Sequence, residues 1–227
     1  MKRIRRYRLG SHIFDLCNTL FMAALGVVML YPFLSVIAMS FSGDSALMAG
    51  KVTFYPIGFN VNAYKMVLRD PLVWTSYRNT IVYAAGSCVL MLIVTSLAAY
   101  PLTFNEFKAK KIITLLYTIT MFFGGGLIPT YLWIRQLHLL NTVWVMIIPG
   151  CVGAYNVFVF RTFFSGIDRG LREAAYIDGA SDMAVLFRII LPLSQALLAT
   201  FALFSIVGTW NSWFNALIYL SDERKYP

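Results

Sequence analysis

Charge is scarce in this sequence: Asp and Glu together number 10 and all charged side chains make up 13% of 227 residues, where a soluble domain carries about 25%. Set beside 59% apolar residues and a mean hydropathy of +0.69, that scarcity excludes an ordinary soluble fold and indicates a membrane protein. Histidine is nearly absent, with His12 and His138 far apart. The three cysteines, Cys17, Cys88 and Cys151, sit inside apolar runs and form no CxxC pair. A disulfide framework, a metal centre and a dithiol redox site all lack their ligands, and the thiols read as small buried side chains. No GxxxxGK[ST] phosphate loop occurs either, so any ATP chemistry belongs to another chain.

The net charge of +9 does not point to nucleic acid, because the basic residues flank apolar segments instead of gathering with aromatics on a polar scaffold. MKRIRRYR before an apolar run has the outline of a signal peptide. The run is too long for one and further runs follow, so the segment reads as a retained anchor.

What the chain does have is length of hydrocarbon. A helix needs about 20 residues to cross a core of about 30 Å, and five stretches meet or approach that: residues 20–39, 80–102, 112–134, 141–160 and 193–220. The expectation is an all-α membrane protein. In the second stretch Ala84, Ala85 and Gly86 would let a neighbouring helix approach closely. The third is interrupted by FFGGGLIPT, whose Gly124, Gly125, Gly126 and Pro129 should unwind it. Freed backbone groups at that depth need protein cover or a cavity. The fourth contains Pro149 and Gly150, and the fifth contains Trp210, Asn211, Trp213, Phe214 and Asn215. Asn211 and Asn215, four apart on one expected helix face, are amides that at membrane depth need partners or a cavity. With Gly125, Pro129 and Trp213 they form a candidate substrate pathway. The competing reading makes the tryptophans interfacial anchors and the asparagines helix-to-helix hydrogen bonds.

Basic residues set direction. With the N-terminus inside, the inner segments hold Lys2, Arg3, Arg5, Arg6, Arg8, Lys108, Lys110, Lys111, Arg161, Arg169, Arg172 and Arg188. The outer ones hold the smaller set Lys51, Lys65, Arg69, Arg78, Arg135, Arg224 and Lys225. The expectation is therefore a cytoplasmic N-terminus, with residues 42–77 outside and residues 161–192 inside. Five spans would leave the final SDERKYP, read as having no cap or further structure, on the outer side.

The inner stretch 161–192 balances four arginines against Asp168, Glu173, Asp178 and Asp182, which suits a protein partner better than a lipid surface. Asp168 is placed to cap a short helix, and Gly179 falls where a left-handed residue ends one. Ser181 or Asp182 can start a second helix with Met183, Leu186, Phe187 and Ile190 on one apolar face, and Pro192 marks its turn into the last stretch. No catalytic set is visible. The spans also lack the mid-membrane acids of an ion-coupled carrier, and no convergent His/Asp group supports a membrane transferase. On residues alone, a channel and a non-transporting membrane partner stay open.

Glu173, Ala174, Ala175, Gly179, Ile189, Leu191 and Pro192 spell EAA-x3-G-x9-I-x-LP, which resembles the signature loop of the permease subunits of binding-protein-dependent ABC importers. TFYPIGFNVNAYKMVL, MFFGGGLIPTYLWI and GTWNSWFNALIYL are similar to the carbohydrate-uptake, maltose-type branch. Within it they look most like the polysaccharide, oligosaccharide or aldouronate permeases of Gram-positive bacteria. The resemblance implies a type I ABC importer transmembrane domain over residues 1–227, with five of an expected six spans present and the chain ending before the sixth. It implies residues 161–192 as the cytoplasmic loop that couples to the ATPase, and a non-catalytic role for this chain. The implied partners are a second permease in a heterodimer, a cytoplasmic ATPase dimer that holds ATP and Mg, and an extracellular solute-binding lipoprotein. The implied cargo is a neutral sugar, and the implied location is the bacterial plasma membrane.

Overall fold

The computed structural model describes residues 9–227, with side chains from His12 onward. Lys2, Arg3, Arg5, Arg6 and Arg8, on which part of the orientation argument rests, lie outside the described residues. Among the described residues every regular element is helical. The chain divides into two units, Met1–Pro71 and Leu72–Pro227, taken in turn.

The first unit contains α1 (Leu9–Ser40), α2 (Asp44–Met48) and α3 (Asn62–Arg69). α1 is long and apolar enough to cross a membrane, and its apolar window is unburied, as in a helix that faces lipid or a partner. Cys17 is accordingly exposed, against the expectation of a buried thiol. The loop after α1 is folded. Phe41 stacks on Phe59 and Tyr64 at 5.5 and 5.0 Å, and the Gly43 and Asn60 amides donate to the carbonyls of Ile57 and Phe41.

The second unit opens with α4 (Pro71–Ala99), which a 3-10 turn extends to Thr103. This is the other continuous helix long and apolar enough to span a membrane. The remaining apolar stretches are carried by broken helices. α5 (Lys110–Phe122) and α6 (Leu127–Gln136) flank the expected interruption, where Gly126 has a φ of 80°. α7 (Trp144–Ile147) is a single turn, and Pro149 and Gly150 keep the chain irregular until α8 (Ala154–Ser165). The continuous helix expected over 141–160 is therefore not formed, since proline has no amide to donate to a helical ladder. After α9 (Arg169–Ile177), α10 (Asp182–Val185) and α11 (Leu191–Leu193), the chain bends by 82° at Ser194 into α12 (Gln195–Trp210). α13 (Trp213–Tyr219) follows a second break.

Two apolar clusters hold this unit together. One joins the end of α4 to α8, α10 and α12 through fully buried Leu102, Phe160, Phe164, Val185, Leu186 and Ile190. The other joins the middle of α4 to α6, α7 and α13 through Tyr83, Ile134, Val145, Ile147 and Tyr219. At the latter contact a Cβ on Gly86 would lie 2.9 Å from Ile147 Cδ1. The small residue in α4 does permit the expected close approach, whereas Ala85 faces outward. The SDERKYP segment is folded back. Asp222 caps a short 3-10 turn by accepting from the Arg224 amide, and Asn79 and Tyr83 of α4 donate to the carbonyls of Arg224, Tyr226 and Lys225.

Candidate functional site

The loop 161–192 folds as its caps dictate. The Asp168 carboxylate accepts from the Gly170 amide at 2.9 Å to start α9, and the Ser181 hydroxyl accepts from the Ala184 amide at 3.3 Å to start α10. α9 ends in a Schellman closure: the Gly179 amide donates to Tyr176 O and the Ala180 amide to Ala175 O, at 3.0 and 2.9 Å. Gly179 has a φ of 80° there, a conformation that costs a side-chain-bearing residue about 1–2 kcal/mol. Ala175 and Ala180, three positions before the cap and one after the glycine, both pack on the core, the apolar contact that accompanies this closure.

The seven motif positions thereby sort by task. Ala175, Ile189 and Leu191 pack inward, Gly179 makes the joint, and Glu173, Ala174 and Pro192 stay exposed. The expected apolar face of α10 is corrected. Leu186 and Ile190 are fully buried, but Val185 joins them, while Met183 and Phe187 are 57% and 49% exposed. Beyond Val185 a π turn over Leu186–Ile190 takes over, and its i to i+5 bonding departs from the register that a uniform α-helix would keep.

Sequence reasoning missed Arg172. It is 8% exposed, donates to Thr103 Oγ1 at 3.2 Å and lies 5.1 Å from the centre of the Phe104 ring. No carboxylate pairs with it among the described residues. It also lines a pocket of about 260 Å³ together with Glu106, Arg169 and Glu173. Nearby, the Tyr176 hydroxyl donates to Asp182 Oδ1 at 2.6 Å, tying α9 to α10. Partial burial, and then that hydrogen bond, hold the Tyr176 hydroxyl well above the ordinary tyrosine range, so it stays a neutral donor at physiological pH.

The five candidate pathway residues are not all brought together. The helix breaks between Trp210 and Trp213, so Asn211 and Asn215 do not share one helix face. The Asn211 amide donates to Val207 O at 2.8 Å. Trp213 is 68% exposed and packs edge-on to Phe214 at 5.7 Å. Gly125 and Pro129 lie at the α5–α6 break, where a Cβ on Gly125 would be 3.7 Å from the Pro129 ring. Of the five, Asn215 alone lines a cavity of about 400 Å³ of mixed polar and apolar wall, where Thr130 of α6 also stands. Among the described residues no cluster of His, Cys, Asp or Glu has the arrangement of a metal site.

Comparison with known proteins agrees with this architecture. Residues 1–222 match the family described as "Binding-protein-dependent transport system inner membrane component". Protein LplC of Bacillus subtilis is 39% identical over 218 residues, 96% of this chain and 74% of the relative. The polygalacturonan/rhamnogalacturonan transport system permease protein YtcP of the same organism is 31% identical over 217 residues, 96% of this chain and 76% of the relative. The fold superposes with a TM-score of 0.93, at 33% identity, on a chain from the crystal structure of a bacterial ABC transporter that imports the acidic polysaccharide alginate. That match covers 97% of this chain and 79% of the other. A motif-bearing helix pair seated on a core of broken apolar helices, with a family match over nearly the whole sequence, makes this chain a member of the binding-protein-dependent ABC importer membrane components.

Proposed function

We propose that the chain is a non-catalytic permease subunit for import of a sugar or oligosaccharide, and that residues 161–192 receive the movement of an ATPase on the cytoplasmic side. The observation that carries this reading is the two-sided build of the loop. Its inner side is locked into the core by Val185, Leu186 and Ile190. Its outer side presents Glu173 and Ala174 together with unpartnered apolar groups, Ile177 at 86% exposure, Met183 and Phe187. A patch of that kind on a rigid support is what a protein partner covers. Ala174 is small enough for a groove wall to approach the helix closely, and Glu173 is free to meet a basic residue of the partner.

The ATPase, as a dimer, holds ATP and Mg. A second permease completes the pathway, and an extracellular binding lipoprotein delivers the cargo. The carbohydrate assignment rests on the names of the relatives, which speak of galacturonan, rhamnogalacturonan and alginate. The basic inner segments favour a cytoplasmic N-terminus in the bacterial plasma membrane.

The test places a single cysteine at Ile177 in a variant lacking Cys17, Cys88 and Cys151. An impermeant maleimide should fail to label intact cells and should label inverted vesicles. Purification through a tag on this chain should bring down an ATPase and a second permease. Labelling from the cell exterior would overturn both the orientation and the coupling role.

A further inference from the structure

The connection after α1 folds back along that helix. The Ser42 hydroxyl accepts from the Ile57 amide at 3.1 Å, and the Gly43 and Asn60 amides donate to the carbonyls of Ile57 and Phe41, which lays residues 57–60 beside the end of α1. Three positions earlier the Phe54 ring meets Tyr31 edge-on, with centroids 5.0 Å apart. Tyr31 stands nine residues before Ser40, where α1 ends, about 13 Å down a helix that rises about 1.5 Å per residue.

Residues 51–61 are not helical. Bare peptide groups are too costly for the hydrocarbon, so this segment belongs at the membrane–water boundary, with the Phe54 ring reaching down α1. Phe54, Tyr55 and Phe59 are each more than half exposed, and Tyr55, an apolar ring with a polar tip, is of the kind that gathers at that boundary. From residue 45 to residue 69 the chain carries Lys51, Lys65 and Arg69 and no acid, which suits headgroup phosphates. The apolar window of α1 is itself unburied, so the segment continues an apolar surface.

We propose that residues 51–59 form a foot seated in bilayer lipid, with Phe54, Tyr55 and Phe59 at the interface near the far end of α1 and Lys51, Lys65 and Arg69 toward the headgroups. A soluble partner meets the tip of this connection, whereas the Phe54 ring touches α1 more than two turns before its end. Lipid is what lies at that depth beside a helix with a bare apolar flank. The foot holds the link between α1 and α4 at one depth in the leaflet. Its placement needs only that α1 crosses a membrane, and it is independent of the direction of crossing and of the import reading.

For the test, Tyr55→Cys is made in a variant lacking Cys17, Cys88 and Cys151 and carries an environment-sensitive fluorophore in place of the ring. The complex, purified through this chain with its companions, is reconstituted in vesicles of phosphatidylethanolamine and phosphatidylglycerol. A lipid spin-labelled near the glycerol end of its acyl chain should quench the fluorophore more than one labelled near the terminal methyl, and more than iodide present on both sides of the vesicle. The same shallow spin label should quench more on phosphatidylglycerol than on phosphatidylcholine, and Lys51→Gln, Lys65→Gln and Arg69→Gln together should remove that excess. Phe54→Ser should red-shift the emission and make iodide the strongest quencher, with the companions still copurifying. Iodide as the strongest quencher without Phe54→Ser would put the segment in water, and protection from every quencher would put it under a companion protein. Either result overturns the foot, as does emission unchanged by Phe54→Ser; the absence of any excess on phosphatidylglycerol overturns the headgroup contact.

Discussion

At the scale of single residues the clearest case is Gly179. A Cβ there meets nothing within 4 Å, so the constraint is the backbone and not space. Its positive φ costs alanine about 1–2 kcal/mol and a β-branched residue more. Gly179→Val should leave the protein in the membrane, because the apolar clusters are untouched, yet lower uptake strongly by mis-aiming α10 relative to α9. Gly179→Asn, a residue that tolerates the left-handed region, should retain most of it. Uptake of labelled oligosaccharide beside a membrane immunoblot checks both, and wild-type uptake in Gly179→Val would refute the role. This joint and the caps at Asp168 and Ser181 were legible in the sequence, because each follows from one residue's local hydrogen-bonding or φ preference. Arg172 was not legible. Its partners Thr103 and Phe104 lie some seventy positions away in the chain, and no local pattern announces such a contact.

Among elements, Arg172 fastens α9 to the end of α4. The methylene stem is buried, the guanidinium donates to Thr103 and sits over Phe104. A hydrogen bond from a charged group is worth about 1.5–3 kcal/mol, and the ring contact about 0.5–2 kcal/mol. Arg172→Met keeps the stem and removes the fastening. The complex should still assemble and hydrolyse ATP while moving less sugar per ATP, with Arg172→Lys recovering part of the loss. The ratio of uptake to phosphate release measures this, and an unchanged ratio in Arg172→Met would show the contact to be packing only. The breaks between elements were unequally readable. FFGGGLIPT announced itself by composition. The α12–α13 break carries no proline: Asn211 and Ser212 end the helix by bonding their side chains back to the carbonyls of Val207 and Thr209, a competition that short polar side chains win only in some contexts. The π turn at Leu186–Ile190 was equally hidden, since periodicity arguments assume the i to i+4 ladder.

For the whole molecule, the apolar excess and charge placement were enough to establish a helical membrane protein, but not which stretches stay continuous or where their breaks meet. The cavity that Asn215 lines depends on five helices, α4, α6, α7, α12 and α13, converging, and convergence is absent from any one segment. The missing phosphate loop yields a further expectation: the solubilised chain, freed of its companions, should show no thermal shift with MgATP, whereas the assembled complex should, because only a ligand that binds the folded state stabilises it. A shift in the isolated chain would mean an unrecognised nucleotide site. The bend at Ser194 has its own mechanical outcome. Ser194 is fully buried at the 82° elbow, and its hydroxyl donates one turn back to Ile190 O at 2.7 Å. An arm that meets a shaft near a right angle delivers torque more than thrust, so under the coupling role proposed above a sideways pull on the loop would crank α12, the helix that carries the cavity-lining Ser205 and Thr209.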